Sequence, residues 1–388
     1  MSKRYHFLTG GTGLVGAYIL RDLLRSGCQV AVLARPCKKE SPQQRINSIL
    51  SHWEQEAGTP LPRPLIIEGD LQSNSWREKH ARWFDDHCSS VIHCAASLTF
   101  YGAPSDEPWR SNIDGTKRIL SICKDHGIRQ MHYMSTAYIA GDCRLFHEDD
   151  FNVGQTLRND YEKSKFAAEK LVREADFFDQ RTIYRPSIVV GDSRTAYTTT
   201  YHGFYAVLKL AHTLVRRMPL GSTSGRNLLA ALGMNGSERK NFVPVDWVAA
   251  VFNHVFSHPQ LHGQTYHLTS PHPPLLQDFV DVVQDAVEAY SSLANQSDPH
   301  KADENWFFHN YAKEVQIYKA YLQDDPVFDS THTQQAARHL SCPVMDIEMM
   351  MFLARYAILS QFGKKKVPSA KLAGETPRKP ELELVGKS

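Results

Sequence analysis

The chain has no CxxC pair, no apolar run of membrane-spanning length and almost no net charge, and each absence excludes a class of protein. Its seven cysteines (28, 37, 88, 94, 123, 143 and 342) are odd in number and follow no zinc-ligand spacing. Free thiols in a reducing cytoplasm are therefore expected. The best apolar stretch, Met349–Ala354, stops at Arg355, well short of the roughly 20 residues a bilayer span needs. Met1 leads through Lys3 and Arg4 directly into a short apolar strand, which is no signal-peptide pattern. No integral membrane segment is expected.

Lys and Arg number 44 against 42 Asp and Glu. From Lys364 onward there are seven basic residues and three acids, so the body before it is slightly negative. Such a body lacks the field of a dedicated nucleic-acid binder. Nineteen histidines form no HExxH and no cluster with cysteines at ligand spacing, so no metal is expected. What is present is ordinary globular composition over 388 residues, enough for two or three domains at about 150 residues each.

The first half alternates strand and helix patterns. Short apolar runs at Tyr5–Thr9, Gln29–Ala34, Pro64–Glu68, Ser90–Cys94, Gln130–Ser135 and Thr182–Tyr184 read as strands, with helices such as Ser111–Asp125 and Tyr161–Ala175 between them. This predicts an α/β fold with a doubly wound parallel sheet. After Pro186 the rhythm changes. Residues 1–192 read as a nucleotide-binding domain to which 242–268 return. Residues 193–241 and 269–363 read as a smaller, mostly helical lobe. Residues 364–388, with three prolines and no apolar periodicity, read as a disordered basic tail. Val344–Ser360 is apolar at helical spacing and reads as core rather than as a membrane anchor.

Thr9-Gly10-Gly11-Thr12-Gly13-Leu14-Val15-Gly16 joins the first strand to the first helix. Gly10 would allow a tight turn, Gly13 would admit a pyrophosphate to the backbone, and Gly16 would let the helix pack on the sheet. Phosphates would then face the positive helix end, with Thr12, Leu14 and Val15 beside them. The second strand ends in Ala34-Arg35, not in an acid, with Lys38, Lys39 and Arg45 nearby. A guanidinium there grips a ribose 2′-phosphate and so selects NADPH. Asp70, followed by Leu71, stands where it could reach the adenine amino group or cap a helix.

Tyr161 and Lys165 are four apart and share one face of a helix. An ammonium beside the phenol would lower its pKa and make Tyr161 a proton donor near neutrality. Thr136, at the end of the fifth strand, offers a hydroxyl to a developing oxyanion, with Ser135 as its competitor.

These segments resemble the extended short-chain dehydrogenase/reductase superfamily. Within it the chain is similar to the thioester reductase domains of carboxylic acid reductases and nonribosomal peptide synthetases, and to fatty acyl-CoA reductases. The resemblance is carried by TGGTGLVG (9–16), HCAASLTF (93–100), SNIDGTKRIL (111–120), YMSTAYIAG (133–141), NDYEKSKFAAEKL (159–171), YRPSIVVGDS (184–193) and NFVPVDWVA (241–249). It implies a Rossmann-type fold and a catalytic triad of Thr136, Tyr161 and Lys165. It implies that Asn112 buttresses the lysine, often through water, that Pro186 and Ser187 lie against the nicotinamide, and that Ala95 and Ser135 line the cofactor. Cys94 departs from the small residue common at its position.

The implied function is NADPH-dependent reduction of an acyl thioester, on CoA or on a carrier protein, to the aldehyde and possibly the alcohol. The rival readings are an extended ketone, alcohol or nucleotide-sugar oxidoreductase, and a non-catalytic NADP(H) sensor. Tyr197, Tyr201, Phe204, Tyr205, Leu208 and Leu210 suit either an apolar acyl pocket or ordinary core, and Arg216, Arg217 and Arg226 read as a solvated loop in preference to a phosphopantetheine contact. The oligomeric state and the acyl group stay open.

Overall fold

The structure is a computed structural model describing residues 4–37, 40–103, 106–214, 229–230, 232–290, 322–365 and 367. Lys38, Lys39, Arg216, Arg217, Arg226 and the tail from 368 lie outside the described residues.

The first five strands are β1 (Tyr5–Thr9), β2 (Gln29–Ala34), β3 (Leu65–Glu68), β4 (Cys88–His93) and β5 (Gln130–Met134). A two-residue β6 (Leu145–Phe146) is followed by β7 (Gln180–Pro186), the short β8 (Ile188–Val190) and β9 (Phe242–Pro244), and then β10 (Thr265–Leu268). The main sheet has seven strands in the order β10-β7-β5-β4-β1-β2-β3, and all its pairs are parallel. The strand order reverses between β1 and β4, the place where such sheets open a ligand crevice at the carboxyl ends. The predicted strands fall within one or two residues of these bounds, and the sequence reading lacked β10.

Helices α1 (Leu14–Arg25), α2 (Pro42–Ala57), α3 (Ser75–Lys79), α4 (Ala81–His87), α5 (Gly115–Asp125) and α6 (Asp160–Glu174) connect the strands. Helix α2 shows how local chemistry sets a boundary. Ser41 and Gln44 form a reciprocal capping box, Pro42 opens the helix, and Gly58 closes it in the left-handed region. The predicted helix 111–125 begins instead as a π-turn, Arg110–Asp114, and becomes α-helical only at Gly115. A Cβ on Gly115 would lie 2.4 Å from a Leu71 methyl, so α5 packs there on bare backbone. Phe7, Ile67, Phe84, Val91, Ile119 and Ile183 fill the core around the sheet.

The chain divides into two compact units. One comprises Met1–Val189, Asn241–His272 and Asp324–Pro343; the other comprises Val190–Lys240, Pro273–Gln323 and Val344–Ser388. The segment 324–343, which the sequence reading grouped with the second lobe, clusters with the first. Its β11 (Val327–Phe328) pairs with β6, and Glu148 accepts hydrogen bonds from the His332 and Thr333 backbones. In the second unit, α7 (Phe204–Leu214) and the helices Leu276–Tyr290 and Ile347–Leu359 pack on one another. Phe204, Tyr205 and Leu208, which suit an acyl pocket or core, are buried, and Phe204 meets Phe279 at 5.1 Å. Met350 and Leu353 of the last helix are likewise buried, as expected for core. Among the described residues, no helix is long and apolar enough to cross a membrane.

Candidate active site

The candidate site is built on the carboxyl ends of the central strands. The loop after β1 turns at Gly10, which has φ +76°. A Cβ there would lie 2.6 Å from the Ala95 backbone nitrogen, so the loop and the turn after β4 touch through backbone. A Cβ on Gly16 would lie 2.3 Å from the Gly10 carbonyl oxygen. Gly16 is therefore required by the loop itself, not by helix–sheet packing as the motif suggested. Gly13 caps α1 without a side-chain hydrogen bond, and its missing Cβ would meet only the Gly10 carbonyl, at 3.3 Å. The first N–H groups of α1, including those of Leu14 and Val15, have no intrahelical acceptor. Open backbone, free donors and a positive helix end suit a diphosphate.

Basic residues flank that loop. Arg45, on α2, donates to the Arg35 carbonyl at 2.7 Å and to the Thr12 hydroxyl at 3.2 Å. The Arg35 side chain is 63% exposed and lies 3.5 Å from the Asp70 carboxylate. Asp70 caps no helix; α3 is capped at Asn74. Its carboxylate accepts from the Gln72 N–H at 2.9 Å in a tight turn, and its carbonyl accepts from Trp76 Nε1. Leu71 packs at the edge of the core against Gly115.

Thr136 and Tyr161 come together from two elements. Thr136 follows β5 and caps a 3-10 turn, Ala137–Ala140, by accepting from the Tyr138 N–H at 3.3 Å. Tyr161 stands in the first turn of α6, which Asn159 caps by accepting from the Glu162 N–H. The Thr136 hydroxyl acts on the Tyr161 phenol and pulls its pKa down. Burial raises the Tyr161 phenol to about 12, against the pull of Thr136, and Glu162 adds to the rise. This reverses the sequence expectation, in which Lys165 lowered that pKa. The lysine makes its hydrogen bonds elsewhere, to the Tyr133 hydroxyl at 2.9 Å and the Met134 carbonyl at 2.7 Å. Burial lowers Lys165 to about 8, with Glu169 and Cys94 acting in the opposite direction.

Ser135 is removed from competition with Thr136. Its hydroxyl donates to Glu169 at 2.5 Å, and Glu169 also accepts from the buried Arg185 at 2.6 Å and from Arg173 at 2.8 Å. Burial alone would raise the Glu169 carboxyl; the two guanidiniums and Ser135 hold it below its usual range. Asn112 makes no direct hydrogen bond to Lys165. In the π-turn its amide clasps the Ser97 backbone in both directions, at 2.8 and 3.1 Å, and donates to Ser164 at 2.9 Å. The extra residue of a π-turn re-aims a side chain in this way.

Pro186 ends β7, and its carbonyl lies 3.4 Å from the Thr136 hydroxyl. The Ser187 N–H donates to the Leu268 carbonyl, while its buried Oγ has no hydrogen-bond partner among the described residues. A buried orphan hydroxyl calls for a ligand group. With the open glycine loop and the exposed Arg35, it makes this crevice fit a dinucleotide. Among the described residues, no group of three or more His, Cys, Asp or Glu is arranged to hold a metal ion.

Sequence reasoning missed Tyr133, His93, Glu169 and Arg185. All four are buried. Their signal was a polar residue inside an otherwise apolar strand or helix face, as in Val91-Ile92-His93 and Tyr184-Arg185-Pro186.

Comparison with known proteins follows from this geometry. The chain is 27% identical over 304 residues to aldehyde reductase lnbA of Aspergillus flavus, covering 73% of this chain and 28% of that protein. It is 29% identical over 294 residues to the L-2-aminoadipate reductase large subunit of Penicillium chrysogenum, covering 69% of this chain and 19% of that protein. The chain thus spans less than a third of the length of either relative. Among solved structures, the terminal R domain from the myxalamid PKS-NRPS biosynthetic pathway aligns with a TM-score of 0.69 at 23% identity, over 95% of this chain and 93% of that one. A UDP-glucose 4-epimerase aligns with a TM-score of 0.60 at 15% identity, over 94% and 100%. These two likenesses show the fold. The NAD-binding family described as Male sterility protein matches residues 8–252, which carry the glycine loop, Thr136, Tyr161 and Lys165, and the chain belongs to that family.

Proposed function

We propose that the protein is an NADPH-dependent reductase of an acyl thioester carried on CoA or a carrier protein. The observation that carries the reading is that the Thr136 hydroxyl acts on the Tyr161 phenol, with Lys165 one helical turn on from Tyr161 in α6, in a domain whose glycine loop is shaped for a dinucleotide. The names of the relatives support a reductase, and the thioester substrate rests on the sequence resemblance to thioester reductase domains.

Gly10, Gly13, Leu14, Val15 and Gly16 would hold the pyrophosphate, with Arg45 bracing the loop through Thr12. Arg35 would exchange its exposed, weak pairing with Asp70 for a ribose 2′-phosphate, which favours NADPH over NADH. Ala95, Pro186 and Ser187 would line the nicotinamide end. When bound, the cofactor supplies a hydride for the thioester carbonyl carbon.

The chain's own residues then manage charge. A phenol raised to about 12 stays protonated at neutral pH, so Tyr161 acts as an acid. It gives its proton to the developing alkoxide, and Thr136 shares that oxygen. Lys165 supplies positive charge that stabilises the tyrosinate left behind. The hemithioacetal then breaks its C–S bond, leaving an aldehyde and a free thiol; a second reduction would give the alcohol.

Incubation with NADPH and matched CoA and carrier thioesters, with product identification, tests the proposal. Thiol release matched to NADPH consumption is expected. Turnover of ketones or nucleotide sugars, with no thiol released at any chain length, would overturn it.

A further inference from the structure

The Thr136 hydroxyl accepts from the Tyr138 N–H at 3.3 Å and donates to the Pro186 carbonyl at 3.4 Å. Both bonds are long and restrain a hydroxyl only weakly. Its place therefore depends on the backbone that carries the two partners, one in the turn after β5 and one at the end of β7. Those two stretches meet at one carboxylate. The Tyr138 hydroxyl donates to Asp325 Oδ2 at 2.8 Å, across 187 positions of sequence. The Asn241 N–H donates to the same oxygen at 2.7 Å. The Asn241 carbonyl accepts in turn from the Ile188 N–H at 3.1 Å, two residues beyond Pro186.

Each corner of this frame is fixed independently. The Asn241 amide clasps the Ser270 backbone in both directions, at 2.9 and 2.8 Å, and Asn241 is buried. Asp325 is buried as well, and its neighbours are tied down: the Asp324 carbonyl accepts from Arg158 at 3.3 Å, and the Val327 N–H donates to the Arg144 carbonyl at 2.9 Å. The Phe328 ring meets the Tyr138 ring edge-on at 6.0 Å. A carboxylate oxygen has lone pairs for both of its donors, and its charge makes such bonds stronger than neutral ones. The strong bonds of the frame thus lie at Asp325, and the weak ones at the hydroxyl that has to turn toward a reacting oxygen.

We propose that Asp325 is the positioning residue for Thr136, holding the turn after β5 and the backbone after β7 at the separation that places the Thr136 hydroxyl. The inference rests on the reductase reading for the role of that hydroxyl at the oxyanion. It gives the segment Asp324–Pro343, which rejoins the nucleotide-binding unit late in the chain, a part in the site itself.

The test uses the full chain with Asp325→Ala, Asp325→Asn and Tyr138→Phe, each alone and combined with Thr136→Ala. Two quantities are followed. One is kcat with NADPH and thioester; the other is the carbon-13 methyl signal of Thr136 without substrate, assigned by its loss in Thr136→Ala. Asp325→Ala should lower kcat roughly ten- to a hundredfold, the scale of a misplacement of about 1 Å, and should shift the methyl signal. Tyr138→Phe, which removes one arm of the frame, should do both more weakly. Asp325→Asn, which keeps an acceptor oxygen, should recover most of kcat. Combined with Thr136→Ala, the same substitutions should cost nothing further, because the group they place is gone. A merely structural role would lower kcat by the same factor with and without Thr136. Equal losses in both backgrounds, or an unmoved methyl signal in a folded Asp325→Ala, overturns the proposal. If Asp325→Ala does not fold, Tyr138→Phe decides by the same comparison. Absence of wild-type turnover would sink the reductase reading alone, because the methyl signal needs no turnover and still decides whether Asp325 places Thr136.

Discussion

Ser135 and Thr136 are adjacent in the chain and point their hydroxyls to different partners, Ser135 to Glu169 and Thr136 to the Pro186 carbonyl. Extended backbone sends successive side chains to opposite sides, so only one of the two can serve the substrate.

Thr136→Ala should therefore lower kcat by roughly 10²–10³ at little cost in stability, the scale of a lost oxyanion donor. Ser135→Ala should lower kcat far less and cost about 1–3 kcal/mol, because it strips a buried carboxylate of a donor. Steady-state kinetics beside urea unfolding separates the two.

Arg35 is exposed and pairs with Asp70 at 3.5 Å. Such a pair stabilises the fold by about 0–1 kcal/mol, so Arg35→Ala should leave the unfolding midpoint nearly unchanged. The same change should weaken NADPH binding by roughly ten- to a hundredfold, as a lost charged hydrogen bond does, and leave NADH binding nearly untouched. Fluorescence titration with both cofactors measures the ratio.

Gly13 and Gly16 of the loop should respond differently to alanine. Gly16→Ala drives a methyl into the Gly10 carbonyl and should lower both stability and cofactor affinity. Gly13→Ala meets only one atom, at 3.3 Å. It should keep the fold within about 1 kcal/mol, since little is displaced, while covering the face offered to the phosphates. Melting curves with and without NADPH distinguish these outcomes.

His93 and His267 are buried and held neutral, both lowered to about 3, and His132 is pushed well below its ordinary value by burial and its histidine neighbours. In the unfolded chain each takes up a proton near pH 6.5, so the unfolded state binds more protons below that value. Their contribution to stability is complete above about pH 6.5 and is lost as pH falls toward the folded value. Each should cost up to about 1.4 kcal/mol per pH unit below pH 6. Urea midpoints between pH 7 and 4.5 should fall accordingly, and His93→Gln should flatten the slope by close to one proton.

The alternation of apolar runs and helices, the glycine loop and the Tyr-Lys spacing are local patterns. The sequence alone was therefore enough to assign a parallel α/β sheet and to mark its first turn as the candidate dinucleotide site. Composition likewise excluded disulfide scaffolds and long membrane spans. Other features depend on residues far apart in the chain. The resemblance favours Thr136 over Ser135, and the physical reason lies in Glu169, 34 positions on from Ser135, which holds the Ser135 hydroxyl. The partner of Lys165 is Tyr133, reached across 32 positions, and Asn112 was re-aimed by a π-turn that periodicity reads as ordinary helix. The direction of the Tyr161 shift also belonged to the tertiary structure. Helical spacing puts a lysine near a phenol, but only packing decides how much water is lost around it, and here desolvation outweighs charge.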